Sequence, residues 1–149
     1  MSTMRRTLLV FFVVALLVGA LAMPAVVSAG PKVEQMLGEA TALYVPGEDF
    51  YLSVGPVALF IPSENIIDAR PGEVTMAVTL VEDRDEGRAI VVDVKSKLRR
   101  KDFDGPAYLA FGEPITAAYD GCNPNPHKAL DVYGYWVEVH HFSRYSGWF

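Results

Sequence analysis

Residues 74–97 read VTMAVTLVEDRDEGRAIVVDVKSK, and this stretch decides the fold. Val74, Met76, Val78 and Leu80 alternate with Thr75, Ala77, Thr79 and Val81. After the charged interval Asp83 to Gly87, the alternation resumes with Ile90, Val92 and Val94 against Val91, Asp93, Lys95 and Lys97. A period of two puts every second side chain on one face of an extended chain, and four charged residues followed by glycine suit an exposed turn. The stretch predicts an antiparallel hairpin. One hairpin alone is marginal in water, so its apolar face demands a covering layer.

The segments around it supply that layer. Phe50 to Val54 and Val57 to Ile61 are apolar runs separated by the turn dipeptide Gly55-Pro56, which predicts two short strands or one bent strand. Ser63 to Gly72 reads as a loop with at most one helical turn. Ala107 to Phe111 is a short apolar strand between Gly105-Pro106 and Gly112-Glu113-Pro114. Leu130 to Phe142 reads as one long strand. On it Tyr133, Tyr135, Val137, Val139 and His141 share one face, Trp136, Glu138 and His140 share the other, and Gly134 marks a bulge or sharp bend.

Before the hairpin the period changes. Val33, Met36, Leu37, Ala40, Leu43 and Tyr44 recur at helical spacing, and Pro31 suits a first turn, so residues 32–44 predict one short amphipathic helix ended by Val45-Pro46-Gly47. About six strands, one N-terminal helix and Gly/Pro turns predict a mainly β domain, a small antiparallel β-sandwich. A five-stranded barrel of the OB type is compatible with the same periodicity.

The chain opens with Arg5-Arg6, an apolar run from Leu8 to Ala22, Met23-Pro24, and Val27-Ser28-Ala29-Gly30. A basic start, an apolar middle and small residues at Val27 and Ala29 have the pattern of a secretory signal peptide over residues 1–29, leaving 30–149 as one exported domain. The uncharged stretch 7–27 is also long enough to remain as a membrane anchor and would then be the point of membrane contact. Either way Arg5 and Arg6 hold the start inside and the domain lies outside, in the periplasm or the extracellular space. Removing the leader takes away two of 13 basic residues and none of 18 acidic ones, so the formal charge falls from −5 to −7. Such acidity argues against a nucleic-acid partner. A single cysteine excludes an intramolecular disulfide, so packing must stabilise the domain.

The metal-ligating residue types gather late in the chain. Cys122 and His127 flank Asn123-Pro124-Asn125-Pro126, and His140 and His141 follow on the long strand. A thiolate and two imidazoles make a ligand set that copper or zinc accepts, which points to an exported metal-handling protein. The same residues could serve a cysteine-dependent enzyme with a histidine as base, although prolines after Cys122 deny that reading backbone N–H donors for an oxyanion hole. The plainer account is a small buried thiol in a proline turn, with two histidines on opposite strand faces.

Three other groupings stand out. Lys95, Lys97, Arg99, Arg100 and Lys101 form a basic block, a candidate surface for an acidic partner, with Lys97, Arg99, Arg100 and Lys101 at its centre. Alternate lysines also describe a guarded, solvated strand. Asp102-Phe103-Asp104-Gly105 starts like a calcium loop but lacks its later ligands, and reads as a turn. Tyr133, Tyr135, Trp136, Phe142, Tyr145, Trp148 and Phe149 crowd the C-terminus, where they close the core or, at Trp148 and Phe149, offer a partner surface. The reading that joins these points is a non-enzymatic exported binding or accessory domain. Its partner is expected to be another envelope protein or an extracellular ligand.

Overall fold

The computed structural model describes residues 32–120 and 128–149. These residues form eleven strands: β1 (Lys32–Tyr44), β2 (Phe50–Val54), β3 (Val57–Ile61), β4 (Gly72–Asp83), β5 (Gly87–Ser96), β6 (Asp102–Ala110), β7 (Ala117–Asp120), β8 (Lys128–Leu130), β9 (Val132–Tyr133), β10 (Trp136–His141) and β11 (Arg144–Trp148). They assemble into two antiparallel sheets, one in the order β1-β4-β5-β11-β7-β8 and one in the order β2-β3-β6-β10-β9. Both sheets are open at their ends. The five-stranded barrel is therefore overturned.

The hairpin read from residues 74–97 is β4 and β5, with Val74 opposite Ser96, Met76 opposite Val94 and Val78 opposite Val92. Val74, Met76, Val78 and Val92 are wholly buried. Their partners are the inward residues of the second sheet, among them Leu59, Ile61, Leu109 and Val137. Each such side chain contributes about 1.5–3 kcal/mol when fully buried, which is how two half-apolar sheets hold together without a disulfide. Phe111 completes the layer by lying on Gly147 of β11, where an added Cβ would stand 2.8 Å from its ring.

Residues 32–44 are a strand, not the expected helix. β1 pairs with β4 from Lys32–Asp83 to Tyr44–Gly72, and the register slips between Met36 and Gly38. That bulge shifts the inward phase by one residue, so a period of two with one slip imitates helical spacing. Val33, Met36 and Leu43, half of the supposed apolar stripe, are exposed. What decides the conformation is the open edge of β4, whose row of backbone N–H and C=O groups finds partners along β1.

Two further expectations are corrected. The long strand over 130–142 is broken: β9 turns back at Gly134-Tyr135 into β10, with Gly134 at a φ of 71° that a side chain tolerates poorly. The Asp102–Gly105 turn is the first part of β6. It bulges between the pairings His141–Asp102 and Val139–Ala107. Asn65, buried in the 62–71 loop, fills that bulge. Its Nδ2 donates to the carbonyls of Gly105 (2.7 Å) and Pro106 (3.2 Å), and its Oδ1 accepts from Gly105 N–H (3.1 Å). Tyr44 ties the same loop to β1, its hydroxyl accepting from Ile67 N–H at 3.0 Å. No helical turn occurs in that loop. The leader, and Pro31 with it, lies outside the described residues.

Candidate functional site

The outward face of the five-stranded sheet carries two rows of side chains that run across the strands. In the first row Tyr51 of β2 stands opposite Phe60 of β3, Phe60 opposite Tyr108 of β6, and Tyr108 opposite Glu138 of β10. In the second, Ser53 stands opposite Ala58, Ala58 opposite Ala110, Ala110 opposite Trp136, and Trp136 opposite Tyr133 of β9. Alternation puts these residues outside because Leu52, Val57, Leu59, Ile61, Leu109 and Val137 between them are taken by the core.

The result is an aromatic ridge beside a low floor. Phe60 and Tyr108 lie nearly parallel with centroids 6.5 Å apart, Tyr108 meets Trp136 edge-on at 5.4 Å, and Tyr133 stacks on Trp136 at 4.7 Å. Ser53, Ala58 and Ala110 are the small residues of the second row, which Trp136 and Tyr133 continue. Neighbouring strands are about 4.8 Å apart, so five strands give the site a length of about 19 Å. Tyr51 and Tyr133 are 64% and 47% exposed, and Tyr135 in the adjoining turn is 53% exposed. Phe60, Tyr108 and Trp136 between them are half-buried, and clustered aromatic surface of this kind is enriched at binding sites.

Polar groups border the rings. The carboxylate of Glu138 and the hydroxyls of Ser53, Tyr51, Tyr108 and Tyr133 have no hydrogen-bond partner among the described residues. Neither row contains a lysine or arginine. The two rows therefore offer aromatic surface, hydroxyls and one carboxylate, and beyond them the same side of the sheet carries His140 of β10 and Asp104 of β6 paired with Arg100.

The residues singled out from sequence lie elsewhere or apart. Cys122 and His127 are outside the described residues. His140 is exposed and His141 is partly buried. Among the described residues no three His, Cys, Asp or Glu side chains converge into a metal-holding group. Trp148 lies on the other sheet between Ala89 and Ala117. Phe149 is packed against the core with the Arg88 guanidinium 4.9 Å above its ring. The basic block is partly neutralised: Lys97 pairs with Glu73 at 2.9 Å and Arg100 with Asp104 at 2.7 Å. The hydrogen bond and charge of Glu73 hold the Lys97 ammonium above the ordinary lysine range. Lys101 Nζ donates to Ser96 O at 2.6 Å, and Arg99 is exposed.

A second polar group joins the sheets. His141 Nε2 of β10 donates to Asp120 Oδ2 of β7 at 2.8 Å, and the Tyr145 hydroxyl of β11 donates to the His141 carbonyl. Asp120 is 8% exposed, and a buried carboxyl of this kind requires hydrogen-bond partners such as His141. Burial, reinforced by the Asp120 carboxylate, pushes the Tyr145 phenol far above its usual range. These contacts link β10 of one sheet to β7 and β11 of the other.

The fold and the face together define an antiparallel two-sheet β-sandwich with an aromatic outer surface. No family model, curated protein or solved structure matches the chain. Sequence reasoning placed Trp136 and Glu138 on one face but passed over Tyr51, Phe60 and Tyr108. Their signal was present: in FYLSV and VALFI the larger outward aromatic alternates with aliphatic residues, a period of two hidden inside a continuous apolar run.

Proposed function

We propose that this chain is a non-enzymatic exported binding domain, delivered to the periplasm or the extracellular space by residues 1–29, and that its binding surface is the outward face of β2-β3-β6-β10-β9. One observation carries the reading: Tyr51, Phe60, Tyr108, Trp136 and Tyr133, one from each strand, gather on the outward face of the sheet. Aromatic side chains supply the largest apolar contact per residue at small entropic cost, and leaving five on a solvent face serves recognition better than stability. The acidic formal charge and the lack of basic residues in both rows favour an uncharged ligand or an envelope protein over a nucleic acid.

The test is sedimentation of the purified protein with the envelope and extracellular material of the cells that produce it. Tyr133→Ser combined with Trp136→Ala is expected to abolish co-sedimentation while the circular dichroism spectrum stays that of the wild type. Trp148→Ala, on the other sheet, is expected to bind as the wild type does. Equal binding by all three proteins would overturn the assignment of the face.

A further inference from the structure

We infer that a second copy of this chain pairs with the outer edge of β1, antiparallel and about a two-fold axis at Ala40, so that two six-stranded sheets become one continuous sheet. This surface is separate from the aromatic face and does not depend on what that face binds.

The ends of the sheets single out β1. The two sheets end in β9, β8, β2 and β1, which have 2, 3, 5 and 13 residues. A short end strand blunts an edge, as do prolines and charges. β1 is long, and between Gln35 and Tyr44 it has no proline and one charged residue, Glu39. It pairs with β4 over its whole length, and among the described residues no strand lies on its other side. Successive residues direct their N–H and C=O groups to opposite sides of a strand, so a row of backbone donors and acceptors faces outward there. Another extended chain matches such a row in spacing and direction.

The side chains choose which chain. Leu43 and Met36, 60% and 55% exposed, are the most exposed large non-aromatic apolar residues among those described. The bulge lies between them, and it leaves both Leu37 and Gly38 on the inner side, Leu37 against the core and Gly38 against Val54. A strand added to this edge must absorb the same extra residue to keep its inner side chains inside. With the axis at Ala40, Leu37 and Gly38 together face Ala42 of the second copy, and Met36 faces Leu43 of the second copy, twice over by symmetry. Glu39 then faces Thr41 of the second copy, a hydroxyl that already meets Thr75 at 2.8 Å and can donate to a carboxylate. Neighbouring registers are worse. An axis at Glu39 sets two carboxylates face to face, and one at Thr41 sets Leu43 against Glu39. A pattern that completes itself under a two-fold is what a symmetric dimer requires, and an unrelated strand would have no reason to match it.

Sedimentation velocity of the purified protein tests the inference. Fewer residues take part on each side than the 20–30 of a standard interface, so dimers are expected to appear at about 10–100 µM. Met36→Lys and Leu43→Glu, each at an exposed position, are expected to leave the circular dichroism spectrum unchanged and to weaken dimerisation about tenfold or more. The double substitution Met36→Lys, Leu43→Glu sets opposite charges face to face in this register and is expected to restore the dimer. Tyr133→Ser, on the aromatic face, is expected to dimerise as the wild type does. In the wild type, amide exchange over residues 35–44 is expected to slow as concentration rises through the same range, a reading that needs no variant to fold. A protein that stays monomeric to about 500 µM, far above that range, overturns the inference. So does a dimer indifferent to both single substitutions, one lost only in Tyr133→Ser, one that the double substitution fails to restore, or amide exchange over 35–44 that ignores concentration.

Discussion

Asn65 shows how a single polar side chain can hold a fold together. It is 3% exposed, yet its amide oxygen and nitrogen are both committed to the backbone of Gly105 and Pro106, where β6 departs from regular pairing. A bulge frees backbone groups that must be satisfied locally, and an amide carries a donor and an acceptor in the geometry of a peptide. Asn65→Ala is expected to cost about 1–2 kcal/mol, since it leaves the half-buried Gly105 N–H and C=O without their side-chain partners. Asn65→Asp should recover part of the loss by accepting from Gly105 N–H while leaving the two carbonyls unpaired. Urea denaturation of the two variants against the wild type checks the order. Equal stability of Asn65→Ala and wild type would mean that water replaces the amide at no cost.

At the scale of elements, the β4–β5 hairpin carries the sharpest expectation. Val92 is wholly buried against the second sheet, whereas its neighbour Asp93 points outward and lies 3.7 Å from Lys95 Nζ. Val92→Asp places a charge in the core and should destabilise by several kcal/mol, enough to unfold a domain of ordinary stability. Asp93→Asn removes one partner of an exposed pair and should change stability by about half a kcal/mol or less. Midpoints of chemical unfolding read the contrast directly, and similar effects at the two positions would contradict the register. The reading of this hairpin from sequence alone succeeds because its alternation is clean and its turn strongly polar. β1 resists the same treatment. One bulge at residue 37 desynchronises its pattern, and Leu43 and Met36 are apolar residues left in solvent. β11 is hidden for another reason: RYSGW has no run of apolar residues, and Gly147 serves the ring of Phe111 and not the strand's own propensity.

At the scale of the molecule, the two sheets are joined at one end by Asp120, His141 and Tyr145, and this clasp makes stability depend on pH. The neutral phenol of Tyr145 is favoured in the folded state, first by burial and then by the Asp120 carboxylate, so its folded pKa lies above that of the unfolded chain. Its contribution is fully present below the ordinary tyrosine value of 10.0 and is lost progressively as the pH rises beyond it. Tyr145→Phe is expected to lose about 1 kcal/mol at neutral pH with the bond to the His141 carbonyl. Above pH about 10 its stability should fall less steeply than that of the wild type. Thermal melts over pH 7 to 11 measure both effects, and parallel curves for the two proteins would remove Tyr145 from the account.

What the sequence by itself determined is local: the period of two in residues 74–97, the turns at Gly55-Pro56 and Asp83–Gly87, and the mainly β class that follows from them, because alternation and turn chemistry act over a few residues. What only the tertiary structure decided is everything that depends on strands distant in sequence lying side by side. The open edge of β4 turned residues 32–44 from the expected helix into a strand, since backbone hydrogen bonding along an edge outweighs a few tenths of a kcal/mol of propensity per residue. Cross-strand register set Phe60 beside Tyr108 and Tyr133 against Trp136. An aromatic face of that kind is a product of pairing, and no periodicity along the chain contains it.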